Sequence, residues 1–146
     1  LAAVIGHEVA HVLAEHANER MSAQYATGAA VSMGASAAGS MGPGLGQAAG
    51  LLGAGAQMGV LLPYSRVHEG EADLLGLDLM ARAGFDPAAS ITLWGNMSRN
   101  SGGGSSGFLS THPTNSERTQ ALEKRLPHAE GIYRRAVSRG HQPHCS

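Results

Sequence analysis

The sequence contains few of the residues on which several common kinds of protein depend. Its single cysteine, Cys145, excludes an internal disulfide framework and any metal site built from several thiolates. Aromatic residues make up only 4% of the 146 residues, which argues against a surface that stacks nucleic-acid bases. The sequence has no uninterrupted apolar run of about 18 residues or more, so it does not require a transmembrane helix.

The charge balance excludes a further class of partners. Ten lysines and arginines stand against eleven aspartates and glutamates, which leaves a formal net charge of −1. The chain therefore lacks the basic surface that nucleic-acid binding needs and the polybasic segment typical of anionic membrane binding. We expect no nucleic-acid partner, and the hydrophobic fraction of 42% supports a packed core for one domain.

The first third of the chain has a helical pattern, and no strand pattern is convincing anywhere. We predict an amphipathic helix over residues 1–21, with one packing face of large side chains and a second face of alanines. The packing face consists of Leu1, Ile5, Val9, Val12, Leu13 and His16. Residues 22–62 are rich in Gly, Ala, Ser and Met, and we predict a helical hairpin that turns at Gly42–Pro43–Gly44. Its composition fits either a closely packed pair of helices or a lid or membrane-facing flap.

Shorter helices are predicted in the rest of the chain, separated by turn residues. They cover residues 65–83, 86–99, 114–126 and 128–140, with a flexible active-site loop at 101–111 and a frayed tail at 141–146. Gly84 ends the first of these helices, and Asp86 with Pro87 begins the second. We predict a single domain over residues 1–140.

The clearest chemical motif is His7-Glu8-Val9-Ala10-His11, an HExxH sequence on a predicted helix. The spacing of four residues places both imidazoles on one helical face, where they can bind one tetrahedral Zn²⁺. Glu8 projects about 100° around the helix, where it can take a proton from water at the metal. Zinc lowers the pKa of such water toward about 7. A third protein ligand is still needed.

Two carboxylates supply candidates for that ligand. Glu69 and Asp73 lie on the apolar face of one predicted helix, and a buried unpaired carboxylate costs several kcal/mol. Glu69 as a metal ligand and Asp73 as the acceptor that orients an imidazole would satisfy both groups. Pairing with Arg66 or Arg118 is the alternative, and Glu71 is a rival ligand that points the other way. The solvent face of that helix is predicted to carry Glu71, Asp78 and Arg82.

Together these motifs resemble the HtpX and CAAX-prenyl-protease family of zinc metallopeptidases. His7–His11 is followed by Ser65-Arg66-x-x-Glu69-x-Glu71-Ala72-Asp73 and then by His112-Pro113 with Arg118, over residues 1–126. The order of the motifs and the sequence around them are most similar to the soluble periplasmic BepA- and LoiP-like branch of the family. The resemblance implies a mainly α, zincin-like core built on an HExxH helix and an ExxxD helix, with the family's small upstream β-sheet absent from this chain.

The resemblance implies a role for each matching residue. The implied ligands of one Zn²⁺ per chain are His7, His11 and Glu69, with Glu8 as general base and acid and Asp73 supporting a ligand. His112 and Arg118 are implied to face the site, where they stabilise the oxyanion and position substrate. In some family members this histidine takes the fourth zinc position and silences the enzyme, so both roles remain open for His112.

The resemblance also implies a setting for the chain. By this resemblance we expect a periplasmic protein that is attached to the outer membrane through an upstream segment. The chain opens at Leu1 inside a helical pattern, which indicates that it is the remainder of a longer precursor. The first function to consider is a zinc endopeptidase that acts on unfolded or misassembled envelope proteins. The alternatives are a largely latent protease that binds clients in quality control, with His112 blocking the zinc, and a domain that a metal only stabilises. Peripheral membrane association and the oligomeric state remain open.

The remaining histidines and aromatics receive structural interpretations. His16 is predicted to lie in the core or at a helix cap, whereas His68 is predicted to be exposed. His128 is assigned with the last residues to a disordered end. Trp94 and Phe85 are predicted to pack in the core because they stand at helical spacing from other apolar residues.

Overall fold

The computed structural model describes residues 1–100, 111–113 and 115–143, which are mainly helical and include no strand. In chain order the helices are α1 (Ala2–Leu13), α2 (His16–Met41), α3 (Pro43–Arg82), α4 (Ala88–Asn100) and α5 (Ser116–Ser138). The predicted mainly α class is therefore confirmed. Among the helices of the described ranges, none combines the length and the apolarity needed to cross a membrane.

The chain divides into two compact units. The first unit comprises Leu1–Ala14 and Glu69–Ser146, and the hairpin unit comprises Glu15–His68. Glu15 has a φ of 55° and a ψ of 27°, a left-handed conformation that residues other than glycine adopt infrequently. The prediction of one helix over residues 1–21 was wrong, because this residue separates α1 from α2. The sequence there contains no glycine or proline to signal the break.

The first unit is built around one apolar core. Its buried members come from α1, α3, α4 and α5, namely Ala3, Leu77, Met80, Ala81, Trp94, Leu122, Ala129 and Ile132. Phe85 is partly buried against this cluster, so the predictions for Trp94 and Phe85 are confirmed.

The two faces predicted for α1 have opposite outcomes, because the face of large side chains is mostly exposed and the face of alanines includes the buried Ala3 and Ala10. Leu1 is 91% exposed, Val12 76% and Leu13 60%, whereas Ala10 is fully buried. The prediction of a packing face of large side chains was wrong, because α1 makes its close contact with α3 through small residues. Of the large side chains, Leu1, Ile5 and Val9 line an open groove of about 250 Å³ together with residues that include Leu79.

Two helix ends lie where the turn residues of the sequence predicted them. Gly84 ends α3 with a φ of 85°, and the Asp86 side chain accepts a hydrogen bond of 2.9 Å from the Ala88 amide at the start of α4. Both predictions are confirmed. At α5 the capping residue is Asn115, whose side chain accepts a hydrogen bond from the Arg118 amide.

The predicted breaks at two prolines were wrong. α3 continues through Pro63, and α5 continues through Pro127. A proline inside a helix costs about 3 kcal/mol, and after Pro127 the burial of Ala129 and Ile132 offsets that cost.

In the hairpin unit α2 packs on the first part of α3 through small residues. A Cβ built on Gly46 would lie 2.8 Å from the Gly39 Cα, and one built on Gly53 would lie 2.5 Å from the Val31 side chain. The predicted turn is confirmed, because Gly42 alone separates the two helices.

Two histidines of the hairpin unit stack on each other. The His16 and His68 rings have centroids 4.1 Å apart and an interplanar angle of 12°, and His68 Nε2 lies 2.9 Å from Glu19 Oε2. His16 is buried as predicted. The exposure predicted for His68 was wrong, because the ring stack and Glu19 cover it.

Asp78 and His128 do not lie where the sequence predicted them. Asp78 is buried rather than solvent-facing, because the Arg125 guanidinium donates to it at 2.6 Å. His128 lies inside α5, 3.8 Å from Asp78, rather than in a disordered end. The predicted loop at 101–111 lies outside the described residues apart from Thr111, as do residues 144–146 of the predicted tail.

Candidate active site

A contact between two glycines brings the two motif-bearing helices together. A Cβ on Gly6 of α1 would lie 2.7 Å from the Gly76 carbonyl oxygen, and a Cβ on Gly76 of α3 would lie 2.8 Å from the His7 amide nitrogen. Both distances are below the 3.0 Å that real Cβ atoms essentially never cross, so the backbones can touch only where both residues are glycine. No pattern in the sequence predicted this contact, although Gly76 shares a helical face with Glu69.

Four side chains of the first unit converge beside this contact. His7, His11, Glu69 and His112 each offer one donor atom, and all four atoms lie within 4.8 Å of one another. The Nε2 atoms of His7 and His11 are 3.1 Å apart. Each of these nitrogens lies 3.4 Å from a carboxylate oxygen of Glu69.

These distances fit a tetrahedral metal ion. Zinc–nitrogen bonds of about 2.0–2.1 Å place neighbouring donors of a tetrahedron about 3.3–3.4 Å apart. The observed separations of 3.1 to 3.4 Å between the two histidines and the carboxylate match that edge length. Two imidazoles and a carboxylate are also a usual donor set for zinc. The residues present therefore fit the metal that the motif predicts.

His112 occupies the fourth corner of this group. Its Nδ1 lies 3.3 Å from His7 Nε2 and 3.0 Å from both carboxylate oxygens of Glu69. On its other side, His112 Nε2 lies 3.4 Å from Glu8 Oε1. The Glu8 side chain is half exposed, so its carboxylate stands at the solvent edge of the donor group.

Asp73 supports the group from the buried side. Its Oδ1 lies 3.0 Å from His7 Nδ1, and it accepts hydrogen bonds of 2.5 and 2.7 Å from Arg118. The sequence left two partners open for Asp73, an imidazole that it orients or an arginine that it pairs with. Asp73 contacts both, namely His7 and Arg118. When Asp73 accepts from Nδ1–H, the lone pair of His7 Nε2 points into the donor group.

Arg118 is a buried residue that joins several parts of the site. It donates 2.7 Å to the Pro113 carbonyl oxygen and lies 3.2 Å from Glu69 Oε2. Its guanidinium carbon also lies 5.4 Å from the ring centroid of Trp94, which is within cation–π range. These contacts hold the backbone next to His112, and the role in oxyanion stabilisation and substrate positioning that the resemblance implies for Arg118 stays a prediction.

The other candidate ligand lies elsewhere. Glu71 is exposed and does not belong to the donor group found among the described residues. Arg66, the alternative partner for the carboxylates, is also exposed.

The charges of the site shift the pKa values of two members. Burial raises the pKa of the Glu69 carboxyl, but hydrogen bonds with His7 and His112 and the charge of Arg118 outweigh burial and lower this pKa to about 2. Burial lowers the pKa of His7, but hydrogen bonds with Asp73 and Glu69 raise it above its ordinary value. Glu69 is therefore ionised at neutral pH, which is the form that binds a metal.

The order of the motifs and the geometry of the site agree with the protein family that the sequence matches. The model of peptidase family M48 matches residues 1–126. The chain belongs to this family. The resemblance to zinc metallopeptidases is thereby confirmed, and an M48 helical core without a sheet accounts for the described fold.

Several M48 relatives are similar over most of the chain. Mitochondrial metalloendopeptidase OMA1 of Schizosaccharomyces pombe is 39% identical over 132 residues, which cover 89% of this chain and 37% of that protein. Metalloprotease LoiP of Escherichia coli is 33% identical over 130 residues, covering 89% of the chain and 50% of LoiP. Metalloprotease YcaL of the same bacterium is 30% identical over 123 residues, covering 84% and 47%. The chain thus spans half or less of these relatives. No solved structure matches it significantly.

Proposed function

We propose that this M48 protein is a zinc-dependent endopeptidase. The observation that carries the proposal is a set of donor atoms at tetrahedral spacing, from His7, His11 and Glu69, with the Glu8 carboxylate beside it. A zinc ion held by these three residues would polarise water and a substrate carbonyl group. The spacing and the donor types support zinc over a cation that prefers only oxygen ligands.

The roles of the protein residues follow from their positions. Glu8 accepts the proton of the attacking water and returns it to the leaving amine, which its half-exposed carboxylate allows. Asp73 holds His7 in the tautomer whose Nε2 faces the donor group, at an Nδ1–Oδ1 distance of 3.0 Å. Arg118 keeps Asp73 and the backbone at Pro113 in place.

The position of His112 supports a second candidate, a largely latent protease that serves as a client-binding assembly or quality-control factor. The His112 Nδ1 atom fills the corner of the donor group that a substrate carbonyl would have to enter. Displacement of His112 would open that corner and leave the imidazole beside it as a donor to the developing oxyanion.

Cleavage of unfolded casein, measured together with zinc content, distinguishes these functions. Under the peptidase proposal the unchanged protein cleaves, and E8Q keeps its zinc but loses activity by about 10² to 10⁴-fold. Full cleavage by E8Q would reject this mechanism. Cleavage that begins only in H112A supports latency, and zinc binding without cleavage in every variant leaves a structural metal.

The assignment of Glu69 as the third ligand can be tested with a matched control on the same helix. E69Q should lose bound zinc, whereas E71Q changes an exposed carboxylate two residues away and should keep it. Zinc loss in both variants, or in neither, would contradict the assignment of Glu69.

We also propose a periplasmic setting, with attachment to the outer membrane through an upstream segment and with unfolded or misassembled envelope proteins as substrates. The resemblance to the periplasmic branch and the similarity to LoiP and YcaL support this setting. The OMA1 relatives are named as mitochondrial, so the setting needs its own test. Fractionation of cells that produce the full-length protein should place it in the osmotic-shock or outer-membrane fraction, and recovery in the cytosol would reject the proposal.

A further inference from the structure

The hairpin unit contains a long stretch without charge. From Met21 to Ser65, 45 consecutive residues include no lysine, arginine, aspartate, glutamate or histidine. Large apolar side chains in this stretch are nevertheless exposed. Tyr25 is 75% exposed, Met33 73%, Met41 81% and Leu51 75%.

These side chains are exposed because the two helices contact each other through smaller ones. Gly46 lies against Gly39, and Gly53 lies against Val31. Gln57 also donates a hydrogen bond of 3.3 Å to the Thr27 hydroxyl across the same contact. Glycine, valine, threonine and glutamine thus lie between the helices.

The large side chains point away from this contact. Met33 and Met41 each follow a contact residue by two positions, and Tyr25 and Leu51 each precede one by two positions. Two positions along an α-helix correspond to a rotation of about 200°. The hairpin therefore has glycine, valine, threonine and glutamine at its inner contact and large apolar residues along both outer edges.

This arrangement is the reverse of a hairpin that is stable in water, where large apolar residues pack between the helices. It is the arrangement of helices that pack in lipid, where close contact between small residues replaces hydrophobic burial. A second copy of the chain would cover one edge, whereas acyl chains have no fixed shape and can cover both edges.

Two cations flank the uncharged stretch. Arg20 and Arg66 are both exposed. Arg20 borders a cavity that Leu61, Leu62 and Ser65 also line, so the beginning and the end of the stretch meet at one end of the hairpin. Basic side chains in this position complement anionic lipid headgroups.

We propose that the hairpin unit binds the surface of a lipid bilayer, with its outward methionine, leucine and tyrosine side chains among the acyl chains and Arg20 and Arg66 at anionic headgroups. This binding is independent of the peptidase proposal, because its residues all lie outside the donor group.

Flotation of the whole chain with vesicles tests the proposal. Vesicles of phosphatidylethanolamine and phosphatidylglycerol should bind the chain, and M33E/L51E should reduce the partition coefficient about tenfold or more, because it places charges among acyl chains. L1E/L13E is the matched control, since it adds the same charge at two exposed leucines of the first unit. Circular dichroism and zinc content should match in all proteins, and M33S/L51S replaces the glutamate variant if that variant loses helix.

The arginines give a second readout. R20S/R66S should weaken binding to the anionic vesicles by about fivefold per arginine and leave binding to pure phosphatidylcholine unchanged. The proposal fails if neither vesicle binds the chain, or if L1E/L13E lowers binding as much as M33E/L51E. It also fails if the chain ignores vesicles but forms an oligomer that M33E/L51E dissociates in sedimentation equilibrium, because the outer edges would then join copies of the chain.

Discussion

Both units of this protein contain two helices that touch through glycine, and the consequences of the contact differ. In the first unit, Gly6 and Gly76 bring the backbones of α1 and α3 together next to buried histidine and carboxylate side chains. In the hairpin unit, Gly39 and Gly46 make an equally close contact between two helical segments that contain no charged residue. The comparison teaches that glycine sets only the distance between helices, whereas the residues beside it decide which chemistry that distance serves.

The largest expected difference between the units concerns apolar side chains. Trp94 is buried in the first unit, with its ring centroid 5.5 Å from that of His7. W94A should lower the free energy of unfolding by about 3–5 kcal/mol. L51A, at an exposed position of the hairpin unit, should change it by less than about 0.5 kcal/mol. Urea denaturation of both variants measures this difference, and equal losses would show that the hairpin edge is buried.

The next prediction breaks the glycine contact itself. G76A should reduce casein cleavage about a hundredfold, because a shift of about 1 Å between catalytic groups costs that much. G46A, which separates the hairpin helices in the same way, should leave casein cleavage unchanged. G95A is the control for alanine in a helix, since a Cβ there meets no atom within 4 Å. The comparison would be wrong if G95A or G46A lowered casein cleavage as much as G76A.

A smaller effect is expected at the carboxylate that supports His7. D73N should weaken zinc binding about 10–100-fold, because an amide holds the imidazole less firmly than a carboxylate. D78N is a matched change on the same helix, where Asp78 pairs with Arg125 and is not a member of the donor group found among the described residues. Competition with a chelator gives both affinities. Equal weakening in the two variants would assign the effect to general destabilisation.

The smallest prediction concerns a helix cap. Asn115 accepts from the Arg118 amide at 2.9 Å, so N115A should cost about 1 kcal/mol of unfolding free energy. N18A removes an exposed hydrogen bond with Glu15 in the hairpin unit and should lower the free energy of unfolding by less. Thermal unfolding monitored by circular dichroism compares the two, and a larger loss for N18A would contradict the assigned cap.

The sequence predicted well what depends on local periodicity. His7 and His11 stand four residues apart, as do Glu69 and Asp73, so a helical wheel alone places each pair on one face. Turn residues such as Gly84 and Asp86 also acted locally, and their helix ends came out as predicted.

What the sequence did not predict depends on long-range contacts or on uncommon backbone conformations. The pair of Asp78 with Arg125 joins residues 47 positions apart, so a wheel of α3 alone placed Asp78 in solvent. Glu15 adopts its left-handed conformation in a segment that favours helix on both sides. The large side chains that were predicted to form the packing face of α1 are exposed, because α1 contacts α3 through Gly6 and Gly76.

The early end of α1 distinguishes the two histidines that it carries. Leu13 is the last residue of the helix, so His11 lies in its final turn, where helices fray first. His7 is completely covered and contacts Asp73, whereas the His11 side chain is 19% exposed. We therefore expect His11 to be the ligand that releases first, so the lifetime of a bound ion will depend on how often that final turn unwinds.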